Sequence, residues 1–139
     1  MDFIKVKFEK VVQAEIVIRR ASDLYDFLKS QYGNQEQEYF LVIHLNAAHE
    51  PTRIHVVTKG TVNNTHVHPR EVFREAIRDN SAAVIVAHNH QSGNVTPSKQ
   101  DHEVTEMLVN AGKVIGIEVL DHVIISSRGF YSFRENENI

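Results

Sequence analysis

The stretch from Ala82 to Asp101, AAVIVAHNHQSGNVTPSKQD, determines how the rest of the chain is interpreted. Its small and β-branched apolar residues at 82–87 predict a strand that is buried on both faces. A polar loop follows, and Thr96-Pro97 is typical of a helix N-terminus, with threonine as the cap and proline in the first turn. The pattern therefore predicts a rigid strand end and a rigid helix start joined by a short polar loop.

Three side chains at this junction are candidate ligands for one metal ion. His88 and His90 stand two residues apart at the strand end, so both point the same way with Cα atoms roughly 7 Å apart. Asp101 lies in the first turn of the predicted helix, at the edge of the buried face that includes Val104. Two histidines and one carboxylate that leave a fourth position open are typical of catalytic zinc sites, whereas structural sites are closed. We therefore expect one Zn²⁺ per chain, bound by these three residues.

The same residues have ordinary structural explanations. Ser98 and Asp101 can form a capping box, and an acid near a helix N-terminus gains ~0.3–1 kcal/mol from the helix dipole. A single histidine in a loop needs no functional role. The metal site is favoured by the combination of His88, His90, Ser98 and Asp101 at one strand–helix junction.

Other histidines offer a comparison within the chain. His66 and His68 form a second H-x-H pair, but Pro69-Arg70-Glu71 follows and no Ser-x-x-Asp does, which indicates a loop leading into a helix. His44 lies in an apolar strand and is interpreted as a core histidine with a hydrogen-bond partner. His102 is turned about 100° away from the candidate aspartate ligand and is expected in solvent.

Length and composition indicate an ordinary globular protein. The chain has 139 residues, of which 42% are hydrophobic and 24% charged, as expected for a single domain. It has no cysteine, which excludes disulfides, thiolate zinc sites and cysteine nucleophiles and is consistent with the cytoplasm. The formal net charge of −3 gives no strong attraction for nucleic-acid phosphates. No apolar run approaches the ~20 residues that span a bilayer, so we expect no membrane association.

Alternating strand and helix patterns predict an α/β fold. Predicted strands cover Phe3–Phe8, Val11–Arg19, Glu36–Leu45, Arg53–Thr58, 82–87, Val114–Leu120, His122–Ser126 and Phe130–Phe133. Predicted helices begin at Ser22, Pro69 and Pro97, the first ending at Gly33 and the last at Gly112. The helix residues expected to be buried are Leu24, Phe27, Leu28, Val72, Phe73, Ala76, Ile77, Val104, Met107, Leu108 and Ala111. Such intermixing predicts a sandwich with helices on both faces of a mixed sheet.

The spacing of the candidate ligands resembles the signature of the JAMM (MPN-plus) metallopeptidases, which is H-x-H, seven residues, S, two residues, D. Three segments of the chain are similar to the RadC branch of that family: KGTVNNTHVHPREVFREAI, HNHQSGNVTPSKQD and LDHVII. The resemblance covers residues 36–134 as a catalytic core, with residues 1–35 as N-terminal strands and a helix. It implies a cytidine-deaminase-like three-layer sandwich, one zinc ion, and a peptide or isopeptide substrate.

A zinc hydrolase also needs a general base for the attacking water. Glu36 and Glu38 open a predicted strand and point the same way, so the residues alone leave both as candidates. RadC-type sequences usually have R-E-x-F at this place, and the segment 37–40 matches it except for Gln37 in place of arginine. The resemblance therefore selects Glu38 as the general acid/base.

The resemblance assigns further residues. It implies that Ser98 helps to stabilise the oxyanion formed from the substrate carbonyl. Asp121 and His122 also match the family; they are either an ordinary turn at the start of a strand or groups that orient a zinc-binding histidine through its second ring nitrogen. One departure is Gln91, which stands where the family usually has proline and removes no ligand.

Three classes of function follow from these observations. The first is a zinc-dependent peptidase or isopeptidase. The second is a DNA repair-associated protein, supported by the family name but not by the acidic net charge, and no helix-hairpin-helix segment is recognisable in residues 1–35. The third is a metal-binding module without turnover. A zinc base deaminase is excluded, because its signature requires cysteine ligands.

Overall fold

The computed structural model describes residues 17–33, 37–60 and 67–139. In these ranges the elements, in chain order, are α1 Ala21–Tyr32, β1 Glu38–Leu45, β2 Pro51–Gly60, α2 Pro69–Arg78, β3 Ala83–Asn89, α3 Lys99–Ile115, β4 Glu118–Ser126 and β5 Gly129–Ser132. The strand predicted at Phe3–Phe8, most of the one predicted at Val11–Arg19, and Glu36 and His66 lie outside the described residues. Residues 17–19 are described and are not part of a strand.

The five strands form one mixed sheet in the order β2-β1-β3-β4-β5. Strand β1 is antiparallel to β2 and β3, β3 is parallel to β4, and β4 is antiparallel to β5. Strand β3 is central, and every residue of it is buried, as the apolar run predicted. The carboxyl end of this central strand carries His88, so the candidate site is built on the most enclosed part of the sheet.

Helices cover both faces of the sheet, which confirms the predicted α/β sandwich. The side chains of β3 alternate between the two faces: Ile85 packs in a core with α1, and Val84 and Val86 pack in a second core with α2 and α3. The described residues include no helix that is long and apolar enough to cross a membrane.

The start of α1 differs from its prediction. The N-cap is Arg20, so Ser22 lies inside the first turn instead of capping it. The Asp23 carboxylate accepts hydrogen bonds from the backbone N–H groups of Arg19 and Arg20, at 3.0 Å and 3.2 Å, and the Ala21 N–H donates to the Glu135 carboxylate at 2.9 Å, so the first turn forms without a serine cap. Gly33 ends the helix, as predicted, but in a right-handed conformation with a φ of −69°.

Helix α3 differs from its prediction at both ends. Its N-cap is Ser98 instead of Thr96, and it continues through Gly112. It ends at Gly116, whose φ of 87° lies in the left-handed region that favours glycine. The glycine at 112 has a packing role, because a Cβ there would lie 2.5 Å from the Ile117 carbonyl oxygen.

Other predictions are wrong in detail. Val114 was predicted to begin a strand but belongs to α3 and is 89% exposed. The two strands predicted at Val114–Leu120 and His122–Ser126 are replaced by the last turn of α3 and the single strand β4. Ile77 was expected in the core but is 55% exposed, while Glu75 of the same helix is only 1% exposed. Val72, Phe73 and Ala76 are buried as predicted, so the buried face extends to Glu75 and leaves out Ile77. The residues expected in the core that are only partly buried are Phe27, Met107 and Ala111.

His44 is a core histidine, as predicted, but only one of its two ring nitrogens has a hydrogen-bond partner among the described residues. It is fully buried, and its Nδ1 atom lies 2.7 Å from Oδ2 of Asp79, which caps the C-terminus of α2. Burial lowers the pKa of His44, and the hydrogen bond with Asp79 opposes that effect. Asp79 also accepts from Nε of Arg53 at 2.9 Å, so this carboxylate joins β1, β2 and α2.

Candidate metal centre

His88 lies near the end of β3, on the face of the sheet that α2 and α3 cover. It is 2% exposed. Phe40 of β1 is its partner in the β1–β3 ladder, and the phenyl ring stacks on the imidazole with 5.9 Å between ring centroids. The strand pairing and this stacked ring together fix the position of His88.

His90 follows the strand and is held by the loop behind it. Its backbone N–H donates to the Ile125 carbonyl of β4, and the loop turns back at Gly93, whose φ is 81°. This turn places the backbone carbonyl of Asn94 2.7 Å from Nδ1 of His90. Because a carbonyl oxygen can only accept, Nδ1 must carry a proton, and neutral His90 has its lone pair on Nε2.

Asp101 is both a helix cap and a neighbour of the two histidines. Its Oδ2 accepts from the Ser98 N–H at 2.8 Å, and Ser98 Oγ accepts from the Asp101 N–H at 3.1 Å, which is the expected capping box. The same carboxylate lies 3.2 Å from Nε2 of His88 and 3.4 Å from Nε2 of His90. The structural explanation and the ligand explanation are thus compatible, since the cap fixes the carboxylate where the histidines meet.

One donor atom from each of His88, His90 and Asp101 lies within 4.8 Å of the others. The two Nε2 atoms are 2.9 Å apart. In the neutral form of His90, whose proton is on Nδ1, the Nε2 atom is an acceptor and faces an acceptor carboxylate. A cation between the two groups, a metal ion or a proton, removes their repulsion. Two imidazole nitrogens and one carboxylate oxygen are a donor set that zinc accepts, with one position left for water. The residues therefore fit the expected Zn²⁺.

The charge of Asp101 favours the form that a metal binds, whereas the protonated form of His90, which this carboxylate favours, must lose its proton first. Burial alone would raise the pKa of Asp101, but the neighbouring imidazoles of His88 and His90 hold it well below its usual range. The Asp101 carboxylate raises the pKa of His90, so a metal ion and a proton compete for Nε2 of this ring. The carboxylate is therefore ionised throughout the physiological range, ready to bind a cation.

Glu38 is the first residue of β1 and lies on the same face of the sheet as Phe40. The ladder pairs Phe40 with His88, and continuing this antiparallel register brings Glu38 level with His90. The Glu38 carboxylate contributes to raising the pKa of His90, as expected for neighbouring groups. The structure thus places Glu38 on the side of the sheet that carries His90, near enough for its charge to act on that ring; the alternative base, Glu36, lies outside the described residues.

Asn89 holds the start of β1 against the end of β3. Its Oδ1 accepts from the Tyr39 N–H at 2.6 Å, and its Nδ2 donates to the Gln37 carbonyl at 2.9 Å. These bonds hold the backbone on both sides of Glu38. The sequence does not point directly to this role, although alternation along a strand places Asn89 between two candidate ligand histidines and on the opposite face.

His122 contacts His88 from β4. Its Nε2 lies 2.8 Å from Nδ1 of His88, and its Nδ1 lies 2.5 Å from the hydroxyl of Thr105 in α3. The ring is fully buried, and burial lowers its pKa well below the ordinary value. Thr105 was also missed in the sequence, although a threonine between Val104 and Leu108 on a buried helix face is a usable signal.

Asp121, in contrast, is bonded to the C-terminal segment. Its Oδ1 accepts from the backbone N–H groups of His122 and Arg134, at 2.7 Å and 3.0 Å, and its Oδ2 accepts from Ser132 Oγ at 2.6 Å. Burial raises its pKa. These bonds anchor the turn after β5. Ser98, the other residue assigned by resemblance, is exposed at the start of α3.

Two further histidines, His68 and His102, are not part of the candidate metal centre. His68 is the N-cap residue of α2 and is exposed, in agreement with a loop that leads into a helix. His102 is exposed, as expected, with its ring 5.1 Å from that of Phe133.

A mixed sheet between two helix layers, with two histidines and an aspartate meeting at a strand–helix junction, defines an α/β domain with a candidate catalytic metal site. A family model described as the RadC-like JAB domain matches residues 18–138, and the chain belongs to that family.

Relatives with similar sequences are known from several bacteria. The chain is 44% identical to a UPF0758 protein of Chlorobium phaeovibrioides over 88% of its own length and 55% of the relative's. It is 49% identical to the UPF0758 protein STH371 of Symbiobacterium thermophilum over 81% of its own length and 48% of the relative's. It is 44% identical to a UPF0758 protein of Rubrobacter xylanophilus over 86% of its own length and 52% of the relative's. The chain thus spans about half the length of the curated relatives it matches.

Proposed function

We propose that this domain is a zinc-dependent hydrolase that cleaves an amide bond in a peptide or isopeptide substrate. The observation that carries the proposal is the meeting of the His88 and His90 Nε2 atoms, 2.9 Å apart, with the Asp101 carboxylate 3.2–3.4 Å from them. Peptidase chemistry is inferred from the resemblance to JAMM metallopeptidases.

Each nearby group has a distinct task in this proposal. Zinc, when bound, supplies Lewis acidity that lowers the pKa of a coordinated water to about 7. Glu38 takes a proton from the attacking water and delivers it to the amide nitrogen as the bond to carbon breaks. Ser98 Oγ already accepts a hydrogen bond from the Asp101 N–H, so its own proton is free to be donated to the substrate oxygen as negative charge develops there.

The surroundings support amide hydrolysis over the alternatives. The net charge of −3 does not favour a nucleic-acid substrate, and a pure binding module has no need of a carboxylate beside the ligands. Action in the cytoplasm is part of the proposal, based on the cysteine-free composition.

Metal analysis is the first test. We expect about one zinc ion per chain in the purified protein, and loss of that zinc in His88→Ala or Asp101→Ala. The matched control is the double variant His66→Ala/His68→Ala, which removes the other H-x-H pair and should retain zinc. Full zinc occupancy after loss of His88 would contradict the assigned site.

Hydrolysis is the second test, with zinc-loaded protein on isopeptide-linked, unstructured peptide and DNA substrates. Glu38→Gln should keep zinc but lose about 10²–10⁴-fold in kcat, because glutamine has a similar size and cannot accept the proton. If Glu38→Gln hydrolyses peptides as fast as the wild-type protein does, the proposed role of Glu38 is refuted. Stoichiometric zinc without hydrolysis of any amide substrate would instead support a binding module, and cleavage of DNA would support the repair-associated alternative.

A further inference from the structure

A buried chain of hydrogen bonds leads from the backbone of α3 to the Nδ1 atom of His88, on the side of the ring opposite Asp101 and His90. Thr105 Oγ1 lies 2.7 Å from the Asp101 backbone carbonyl and 2.5 Å from Nδ1 of His122. Nε2 of His122 then lies 2.8 Å from Nδ1 of His88. The three side chains are at most 3% exposed, so water cannot easily replace a missing partner.

The chemistry of the groups fixes the direction of this chain. The Asp101 carbonyl can only accept, so the single hydroxyl proton of Thr105 points to it. Toward His122 the threonine oxygen must therefore accept, and Nδ1 of His122 must carry a proton. In a neutral His122 the lone pair is then on Nε2, where it accepts from Nδ1–H of His88. His88 is left with its own lone pair on Nε2, the atom that faces Asp101 and His90.

The surroundings of His122 favour its neutral form. The ring is fully buried and stacks on Phe133 with 4.7 Å between ring centroids. It also makes a T-shaped contact with Phe40, at 5.7 Å between ring centroids. Its two ring nitrogens are both used, by Thr105 and His88, and neither partner is a carboxylate. A charged imidazole in such a place is costly, since no counter-charge contacts it directly.

We propose that Thr105 is a positioning residue that, through His122, holds His88 in the tautomer whose Nε2 is free to bind a metal ion. The inference rests on the proposed metal site, but not on hydrolysis. Asp101 takes part twice, because its carboxylate faces His88 Nε2 while its backbone carbonyl begins the chain that controls the same atom. His90 reaches the same tautomer by a separate route, the Asn94 carbonyl on its Nδ1.

The choice of threonine at position 105 agrees with this role. The neighbouring buried positions of α3 are Val104, Leu108 and Gly112, so an apolar residue would serve packing equally well. A threonine that bonds the carbonyl four residues earlier slightly disfavours a helix. A hydroxyl here is therefore explained by the acceptor that it provides for His122.

The first test needs no variant. Nitrogen-15 NMR of the metal-free protein, with labelled histidine, distinguishes the two imidazole tautomers from the shifts of the ring nitrogens. We expect both His88 and His122 to be neutral with the proton on Nδ1. Finding either of them with its proton on Nε2 would overturn the inference, whatever the protein hydrolyses.

Substitution of Thr105 is the second test. Thr105→Val has nearly the same shape but gives His122 no acceptor, so His122 should move its proton to Nε2 and drive His88 into the tautomer that blocks Nε2. Zinc affinity, measured by competition with a chelator, should fall about 10–100-fold, as for other groups that orient metal ligands. Thr105→Ser restores the hydroxyl and should recover the affinity to within a few-fold.

A matched control is Thr52→Val, which removes a hydroxyl that also donates to a backbone carbonyl, that of His44, on another strand. It should leave the histidine tautomers and zinc affinity unchanged. A purely structural role for Thr105 predicts lower stability with unchanged tautomers and unchanged zinc affinity, and that result would overturn the inference. If zinc binds but no amide is cleaved, the proposed hydrolysis fails while this inference stands.

Discussion

Replacing Asn89 with alanine should weaken the attachment of β1 to β3 without removing a metal ligand. Asn89 is 1% exposed and makes two hydrogen bonds, one from Tyr39 N–H and one to the Gln37 carbonyl. Gln37 is exposed, so its carbonyl can bind water instead. The Tyr39 N–H is partly buried, and leaving such a donor without an acceptor costs about 1–3 kcal/mol.

This loss is measurable and leaves the protein folded. Domains of this size have about 5–15 kcal/mol of stability, and each kcal/mol shifts Tm by about 3–4 °C, so Tm should fall by about 3–12 °C. Zinc content should stay at the wild-type value, while kcat should fall because the backbone on either side of Glu38 is no longer held. The assay is thermal unfolding by circular dichroism, with metal analysis and hydrolysis on the same samples.

Asn136→Ala is the control, since it also removes a hydrogen bond to a backbone carbonyl, that of Ser132, but at an exposed position. Its stability should stay within about 0.5 kcal/mol of wild type. If Asn89→Ala unfolds at the wild-type temperature, the two hydrogen bonds do not hold β1, and the reasoning is refuted.

Two further predictions concern metal removal and pH. Chelation should leave near-UV circular dichroism almost unchanged, because two apolar cores hold the fold without the ion; collapse on chelation would mean that the metal is structural. Burial lowers the pKa of His44, so the unfolded chain binds the proton more tightly, and stability should fall as the pH drops below about 6.5. His44→Asn, whose amide can still donate to Asp79, should show a smaller loss between about pH 7 and pH 5.5 in urea denaturation; an equal loss would assign the effect to other groups.

The elements that sequence patterns predicted well are those whose signals are local. The apolar run at 82–87 and Pro69 each marked a strand or helix near its observed place, and the Ser98–Asp101 capping box was recognisable from its spacing. The meeting of His88 and His90 with Asp101 also follows from a short segment, because all three lie at one strand–helix junction.

What the sequence could not predict depends on packing between distant segments. Gly112 and Gly116 are both plausible helix ends, and only the approach of the Ile117 carbonyl distinguishes them. The roles of Asn89 and Thr105 depend on which strands pair and in which register, since their partners come from β1 and β4. Contacts between such distant segments of the chain leave no periodic pattern in the sequence.

The double use of Asp101 joins the metal centre to the integrity of a helix. Its Oδ2 both accepts from the Ser98 N–H and lies 3.4 Å from His90 Nε2, so fraying of the first turn of α3 withdraws the carboxylate from the histidines. Helix fraying and release of the proposed metal ion are therefore expected to be coupled. Substitutions on the solvent side of α3 that change its helical propensity are expected to change zinc affinity in the same direction as they change helix stability, although they touch neither the ion nor its ligands.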